Sequence, residues 1–434
     1  MNASPASLRR RRGFIKASAL ATGAVASAPF LLSRGARAEI NGSTLKVGLI
    51  GCGGRGTGAA SQALRADPNV VLTAMGDVFE DRLQKSLSQL KDDKEIAAKV
   101  AVDADHVFTG LEAYQQVIKS GIDVVLLATP PGFRPLHLAA AVAAGKHVFC
   151  EKPMAVDGPG VRSVMASVAE AKRKKLAIVA GFVSRYGMPE RSLMARVHDG
   201  DIGDIVSLYN AYNGGTLWNF PRKPDWTDLQ YQLRNWYYFT WLSGDHIVEQ
   251  AIHSIDKMQW AMRETPPLKA VAHGGRQARN EAEFGQIFDH FSVVYEYPNG
   301  VRAFHYCRQM AGCANGLVDE FVGTKGIARI VPFGAKEIKG SVNWRYSGPT
   351  PNFFQVEHDE LFASIRAGKP INDGDFMARS TLVGIMGRMA AYTGQEITWD
   401  MALNSQENLA PETLDWNMKL PEPAVAMPGK TRFV

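Results

Sequence analysis

Between residues 45 and 182 the apolar positions gather into short continuous runs, at 46–50, 70–75, 107–108, 123–128, 147–150 and 177–182. Stretches of helical character separate them, at 57–66, 80–90, 111–119, 135–144 and 158–173. An unbroken run such as Asp123-Val-Val-Leu-Leu-Ala128 suits a strand buried on both faces of a parallel sheet. Strand and helix alternating at this spacing predict a doubly wound α/β sheet. Ligands of such sheets bind at the carboxyl ends of the strands, where Thr129, Pro130 and the Glu151-Lys152-Pro153 turn fall. From residue 205 the pattern changes to strand-like runs at 207–211, 270–273, 291–297, 301–306, 318–322 and 328–331, with a tight Pro298-Asn299-Gly300 turn between two of them. Two helices follow, at 356–367 and 376–393, and the chain from about residue 404 reads as irregular.

The first strand runs into Gly51-Cys52-Gly53-Gly54-Arg55-Gly56, a G-x-G-x-x-G motif with a helix behind it. Gly51 permits the tight turn, Gly53 removes a Cβ that would block a pyrophosphate, and Gly56 allows close helix–strand packing. The helix N-terminus offers free N–H groups to the phosphates. The second strand ends at Asp77, where a carboxylate accepts from the adenosine ribose hydroxyls and repels a 2′-phosphate. The expected cofactor is therefore NAD, with NADP possible if Arg55 or Arg82 pairs with the extra phosphate.

The glycine loop, Ala128-Thr129-Pro130-Pro131, His137, Ala144-Gly145-Lys146-His147-Val148 and Glu151-Lys152-Pro153 together resemble the glucose–fructose oxidoreductase / inositol dehydrogenase / MocA (Gfo/Idh/MocA) family. Pro131 departs from the Asn that many members carry. The resemblance implies a Rossmann NAD(P)-binding domain over 39–153 and an α+β domain over 154–403 for substrate and oligomerisation. That second domain is built on a large open, mostly antiparallel sheet, whose far face joins subunits into a homodimer or homotetramer. A tail, 404–434, wraps over a neighbour. Thr129, Pro130, His137, Glu151 and Lys152 are implied on the cofactor side, and Ser184-Arg185-Tyr186 looks like the loop that enters the substrate site. The segment from Trp241 to Asp256 resembles the family's active-site helix. On one continuous helix Glu249 and His253, four apart, share a face. His253 is then the base for a hydroxyl proton, Lys152 supports charge on the same oxygen, and Glu249, where the family more often has Asp, orients His253 or holds a hydroxyl. Arg185, Tyr186, Asp245, His246 and Trp241 are expected around the sugar. Aromatic residues crowd 209–241, and a flat aromatic face fits the C–H side of a pyranose as well as it fits loop packing.

Charge and targeting change where this chemistry would occur. Arg9–Arg12 followed by Gly-Phe-Ile-Lys matches the twin-arginine export pattern, and Ala36-Arg37-Ala38 has the form of a cleavage site. Removing residues 1–38 takes away seven basic and no acidic side chains, so the net charge moves from +6 to −1. The basic character belongs to the signal, and nucleic acid is not an expected partner. The apolar part of the signal is short and rich in Ala, Gly and Ser, which makes a poor permanent membrane span. The four cysteines form no disulfide framework or C-x-x-C pair, and zincin spacing around His246 and His253 is absent, so no metal is expected. The expected activity is a periplasmic or secreted sugar or polyol oxidoreductase with tightly held NAD. The alternative is an NAD-dependent glycosidase that oxidises its substrate transiently and hydrolyses with no net redox change.

Overall fold

The computed structural model describes residues 42–421 and 424–434; the export signal expected over 1–38 lies outside them. Strand β1 (Leu45–Ile50), helix α1 (Gly54–Ala66), β2 (Val70–Asp77), α2 (Glu80–Asp92), β3 (Val107–Thr109), α3 (Ala113–Lys119), β4 (Val124–Leu127), α4 (Arg134–Ala143), β5 (His147–Cys150), α5 (Gly158–Lys174) and β6 (Ile178–Ala180) alternate as the apolar pattern predicts. They form one parallel sheet in the order β3-β2-β1-β4-β5-β6. The order reverses between β1 and β4, so a crevice opens where Gly51 leaves β1 and Thr129 follows β4, the switch point at which such sheets bind ligands.

After α6 (Met188–His198), β7 (Ile205–Gly214) begins the second sheet. A long excursion leaves it through α7 (Asp228–Arg234), α8 (Thr240–Ser243), α9 (His246–Glu249) and α10 (Ile252–Ala261). The chain then adds β8 (Lys269–Gly275), β9 (His290–Glu296), β10 (Arg302–Gln309), β11 (Gly316–Gly323), β12 (Gly326–Ile330), β13 (Lys336–Gly340) and β14 (Trp344–Arg345). Helices α11 (Phe353–Arg366) and α12 (Gly374–Thr393), strand β15 (Ile397–Thr398) and helix α13 (Trp399–Asn404) complete the elements. The nine strands run β14-β13-β12-β11-β7-β10-β9-β8-β15, antiparallel except for the parallel β7–β10 pair. Asn299 and Gly300 turn β9 into β10 with positive φ of 64° and 78°.

One face of this sheet is core. Leu208, Phe291, Val293, Tyr295, Ala303 and Phe321 are all buried there, in one apolar cluster with the inward side of α12. The opposite face carries Val271, Tyr209, Tyr306 and Ile327 exposed. Helix α11 belongs to the second half of the chain but packs on α1, with Leu361, Phe362 and Ile365 in the core beside Ala59 and Leu64. The irregular tail covers its own chain, with Leu409, Leu414, Trp416, Met418 and Leu420 against Phe79, Leu229 and Leu233.

Candidate active site

A cavity of about 740 Å³ runs from the glycine loop to the α9–α10 junction. At one end lie Gly51, Gly53, Gly54, Arg55, Gly56, Asp77, Thr129, Pro130 and His137; at the other Glu151, Lys152, Glu249, Gln250 and His253. Every residue expected on the cofactor side therefore lines it.

The glycine loop fits a dinucleotide by its geometry. Gly51 has φ of 94°, and a Cβ there would stand 2.7 Å from the backbone at Ala128 and Thr129. A Cβ on Gly56 would collide with the Gly51 carbonyl, whereas Gly53 and Gly54 face open space. Helix α1 has no side-chain cap, so its first N–H groups are left for phosphate oxygens. Asp77 is buried and braces the loop: Oδ2 accepts from Cys52 N at 2.6 Å and Oδ1 from Phe79 N at 2.8 Å. Burial pushes its carboxyl up, the backbone donors opposing. Thr129 is set by His137, whose Nδ1 lies 3.2 Å from Thr129 Oγ1. Burial pushes the His137 imidazole down to about 3. Stacked between Tyr114 and Phe133, it is neutral and brings no charge to a phosphate.

Arg55 differs from its expected role as a partner for a 2′-phosphate. Its guanidinium is ion-paired with Glu151 and with Glu357 of α11 at 3.1 Å, bonds Gln62, and lies under the Phe354 ring. It ties the glycine loop to α11. Arg82 is the cation that lines the cavity near Asp77.

At the other end the continuous helix expected from 241 to 256 is broken. Ala251 N reaches back to His246 O at 3.0 Å, a wide turn. In an unbroken helix His253 N would donate to Glu249 O. Here Lys152 Nζ donates to that carbonyl at 2.5 Å, and His253 N turns to Gln250 O at 3.4 Å. Lys152 also donates to Glu249 Oε1 at 2.9 Å. Glu249 thus holds Lys152 rather than His253. Its second oxygen, Oε2, is buried with no hydrogen-bond partner among the described residues, an acceptor placed for a ligand hydroxyl. Burial, with the nearby charges of Lys152 and Lys257, holds the His253 imidazole well below the ordinary histidine range. A neutral imidazole, an ammonium and a free carboxylate oxygen on one cavity can take a hydroxyl proton while steadying the oxygen.

The five residues expected around the sugar do not line the cavity. Arg185 is clamped by Asp256 at 2.8 Å and Glu264 at 2.7 Å. Tyr186 is buried and donates to Asp373 at 2.6 Å. Asp245 accepts from His246 N, Phe288 N and Tyr392 Oη, with φ of 76°, and burial pushes its carboxyl up to about 6. The His246 ring is buried against Phe291, and Trp241 Nε1 donates to Gln232 at 2.6 Å. Arg185, Tyr186 and Asp245 meet partners from distant segments, Trp241 meets Gln232 of α7, and the His246 ring is walled in by Phe291, so these residues build the wall behind the site.

Others were not expected. Arg134 is buried and donates to the carbonyls of Thr129, Lys152 and Pro153, which fixes the Lys152 turn from behind; the Lys152–Pro153 bond is cis. Its acceptors are turn carbonyls, which leave no side-chain signature in a sequence. Trp218, Phe220, Leu233, Trp236, Gln250 and Phe354 also line the cavity. No group of three or more His, Cys, Asp or Glu able to hold a metal occurs among the described residues.

A dinucleotide cradle that opens directly onto a lysine and a neutral imidazole defines the class: an NAD(P)-dependent oxidoreductase. Residues 45–182 match the family described as "Oxidoreductase family, NAD-binding Rossmann fold", and residues 191–329 match the "GFO/IDH/MocA C-terminal domain". The chain belongs to the Gfo/Idh/MocA family. It is 28% identical over 292 residues to an inositol 2-dehydrogenase of Serratia proteamaculans, covering 66% of this chain and 74% of that one. It is 27% identical over 257 residues to a 2,7-anhydro-N-acetylneuraminate hydratase of Escherichia coli, covering 58% and 62%. Among solved structures, the aldose-aldose oxidoreductase of Caulobacter crescentus superposes with TM-score 0.64 at 21% identity, covering 82% of this chain and 99% of that one. A levoglucosan dehydrogenase in complex with NADH and levoglucosan gives TM-score 0.64 at 18% identity, covering 82% and 99%. These structural likenesses carry the fold.

Proposed function

We propose that the mature chain is an exported sugar or polyol oxidoreductase that keeps its NAD(H) through the catalytic cycle. The observation that carries this reading is the convergence of Lys152, Glu249 and His253 on the cavity that the glycine loop opens. Bound nicotinamide would supply the hydride acceptor at C4. His253 takes the hydroxyl proton on its ring nitrogen as the carbon is oxidised, Lys152 steadies the developing charge on that oxygen, and Glu249 holds Lys152 and accepts from a neighbouring hydroxyl. NAD is favoured over NADP because the buried Asp77 carboxylate would face a 2′-phosphate, and Arg55 is engaged by Glu151 and Glu357.

Retention is supported by a strap across the adenosine side. Arg234 pairs with Asp81 through two bonds of 3.0 Å and lies 4.0 Å over the Phe79 ring, and its carbonyl accepts from Arg82. Trp416 packs on Phe79 from the tail, and Leu420 N donates to Asp228 on the strap. An enzyme exported by the twin-arginine route meets no obvious pool of free nucleotide, so a trapped cofactor must be reset by a second substrate. The exposed aromatic and aliphatic face of the large sheet suits a homodimer or homotetramer contact.

One observation keeps a second reading alive: a relative is named as a hydratase, a reaction without net redox change. A redox-neutral glycosidase needs a further base for the carbon adjacent to the oxidised one. Glu249, through its unpartnered Oε2, is the group on the cavity placed for that role. Product analysis with a confirmed substrate tests both. The oxidoreductase reading expects an oxidised sugar and a reduced second substrate; release of an aglycone with no redox product would replace it with the glycosidase.

A further inference from the structure

The segment 215–241 is rich in aromatic rings, and their burial divides them. Tyr237, Tyr238 and Trp241 are core residues. Trp218 and Phe220 line the cavity, yet keep 41% and 42% of their surface exposed. Large rings left open to a cavity forgo the stabilisation that burial would give, and these two are not on a loose loop. Leu217 O accepts from Tyr238 Oη at 3.1 Å, and Phe220 N donates to Asn235 Oδ1 at 3.0 Å. Asn235 is itself buried and anchored to Glu283 O. The backbone is thus pinned on both sides of Trp218, and the ring rests on Trp236 and Tyr237 at centroid distances of 6.0 and 6.3 Å.

The position is next to the reacting end. Burial, with the nearby Glu249 carboxylate, pushes the Tyr237 phenol under Trp218 up, and Glu249 and Gln250 line the same cavity as Trp218. Gln250 Oε1 accepts from Tyr212 Oη at 3.0 Å, which leaves its amide nitrogen without a protein partner among the described residues. The platform has no cation to recognise an acid. Of the five cavity-lining cations, Arg55, Arg134 and Lys152 are held by protein acceptors, and Arg82 and Lys85 belong to α2 at the adenosine end. The Lys152–Glu249–His253 centre has polar groups for one ring and no aromatic face of its own.

We propose that Trp218 and Phe220 form a second saccharide subsite, which stacks the neutral non-reacting ring of a disaccharide or glycoside while the first ring sits at Lys152, Glu249 and His253. The substrate class is a neutral glycoside rather than a free monosaccharide. This rests on the carbohydrate oxidoreductase reading above.

The test uses the mature, nucleotide-loaded enzyme and matched neutral pairs: glucose and cellobiose, galactose and lactose, N-acetylglucosamine and chitobiose. The wild type should favour the disaccharide of the responding pair. In Trp218→Ala the ratio of kcat/KM for disaccharide over monosaccharide should fall about ten-fold, the size of one aromatic stacking contact, with the loss in KM and nucleotide content unchanged. Phe220→Ala should give a smaller fall in the same direction. An unchanged ratio, or a wild type that prefers the monosaccharide, would overturn the subsite. Calorimetric binding of the same pairs separates this from the redox reading. Disaccharide binding that Trp218→Ala abolishes, in an enzyme that oxidises none of the panel, would uphold the subsite and overturn net oxidation of the bound sugar.

Discussion

The two ends of the cavity are built in opposite ways. The dinucleotide end comes from one short stretch: a strand, four glycines and a helix, with Asp77 closing it after a single βαβ turn. The substrate end comes from Lys152 in the turn after β5 and Glu249, Gln250 and His253 on a broken helix of the other half, with Trp218 and Phe220 from a further loop. Contiguity makes the first end rigid and legible. Assembly from distant segments makes the second adjustable, because one wide helical turn and one loop can be re-aimed without disturbing the cradle.

The difference can be broken most visibly at His253. His253→Ala should lower kcat by 10²–10⁴-fold, the usual worth of a positioned base, while the nucleotide carried per chain stays the same. A loss of nucleotide in step with activity would mean the two ends are one unit. Next in size is Arg185, which is wall rather than site. Arg185→Ala leaves the buried Asp256 carboxylate without its cation and with only the Ser380 hydroxyl, so denaturant unfolding should show a loss of about 3–5 kcal/mol. The folded fraction should keep its KM, and a selective rise in KM would return Arg185 to the substrate. At the strap, Arg234→Ala should speed nucleotide dissociation about ten-fold without changing the rate of hydride transfer in a single turnover. Equal rates of dissociation in both proteins would remove the strap from retention.

The mildest probe is pH. Burial lowers the His253 pKa, so the imidazole remains the neutral, proton-accepting form to lower pH than an ordinary histidine near 6.5. The acid limb of kcat/KM should therefore fall below that value, and Lys152→Met, which removes one positive neighbour, should move it upward. A limb at or above 6.5 in the wild type would assign it to another group.

How far the chain could be read from its sequence follows the same divide. The first sheet and six strands of the second were legible, since apolar and strand-like runs are local signals, whereas the short β13, β14 and β15 carry too few apolar residues to show one. The glycine loop, Asp77 and the Lys152 turn were legible too. The sugar-side expectations at Arg185, Tyr186, Asp245, His246 and Trp241 moved because polarity alone does not say what a side chain meets. Asp256, Asp373, Tyr392, Phe291 and Gln232 are the partners or neighbours that absorb them, and most lie tens to nearly two hundred residues away. The helix break after Glu249 was invisible because the group that takes the freed Glu249 carbonyl is a lysine about a hundred residues upstream. The engagement of Arg55 was hidden for the same reason, its partner Glu357 lying on α11.

The central claim is a resident cofactor serving this cavity. The most direct measurement is the amount and identity of nucleotide released when mature protein, purified with none added, is denatured and analysed by mass spectrometry. The account predicts close to one NAD or NADH per chain. Protein that emerges empty and takes up nucleotide only reversibly would contradict it, leaving an ordinary exchanging dehydrogenase in its place.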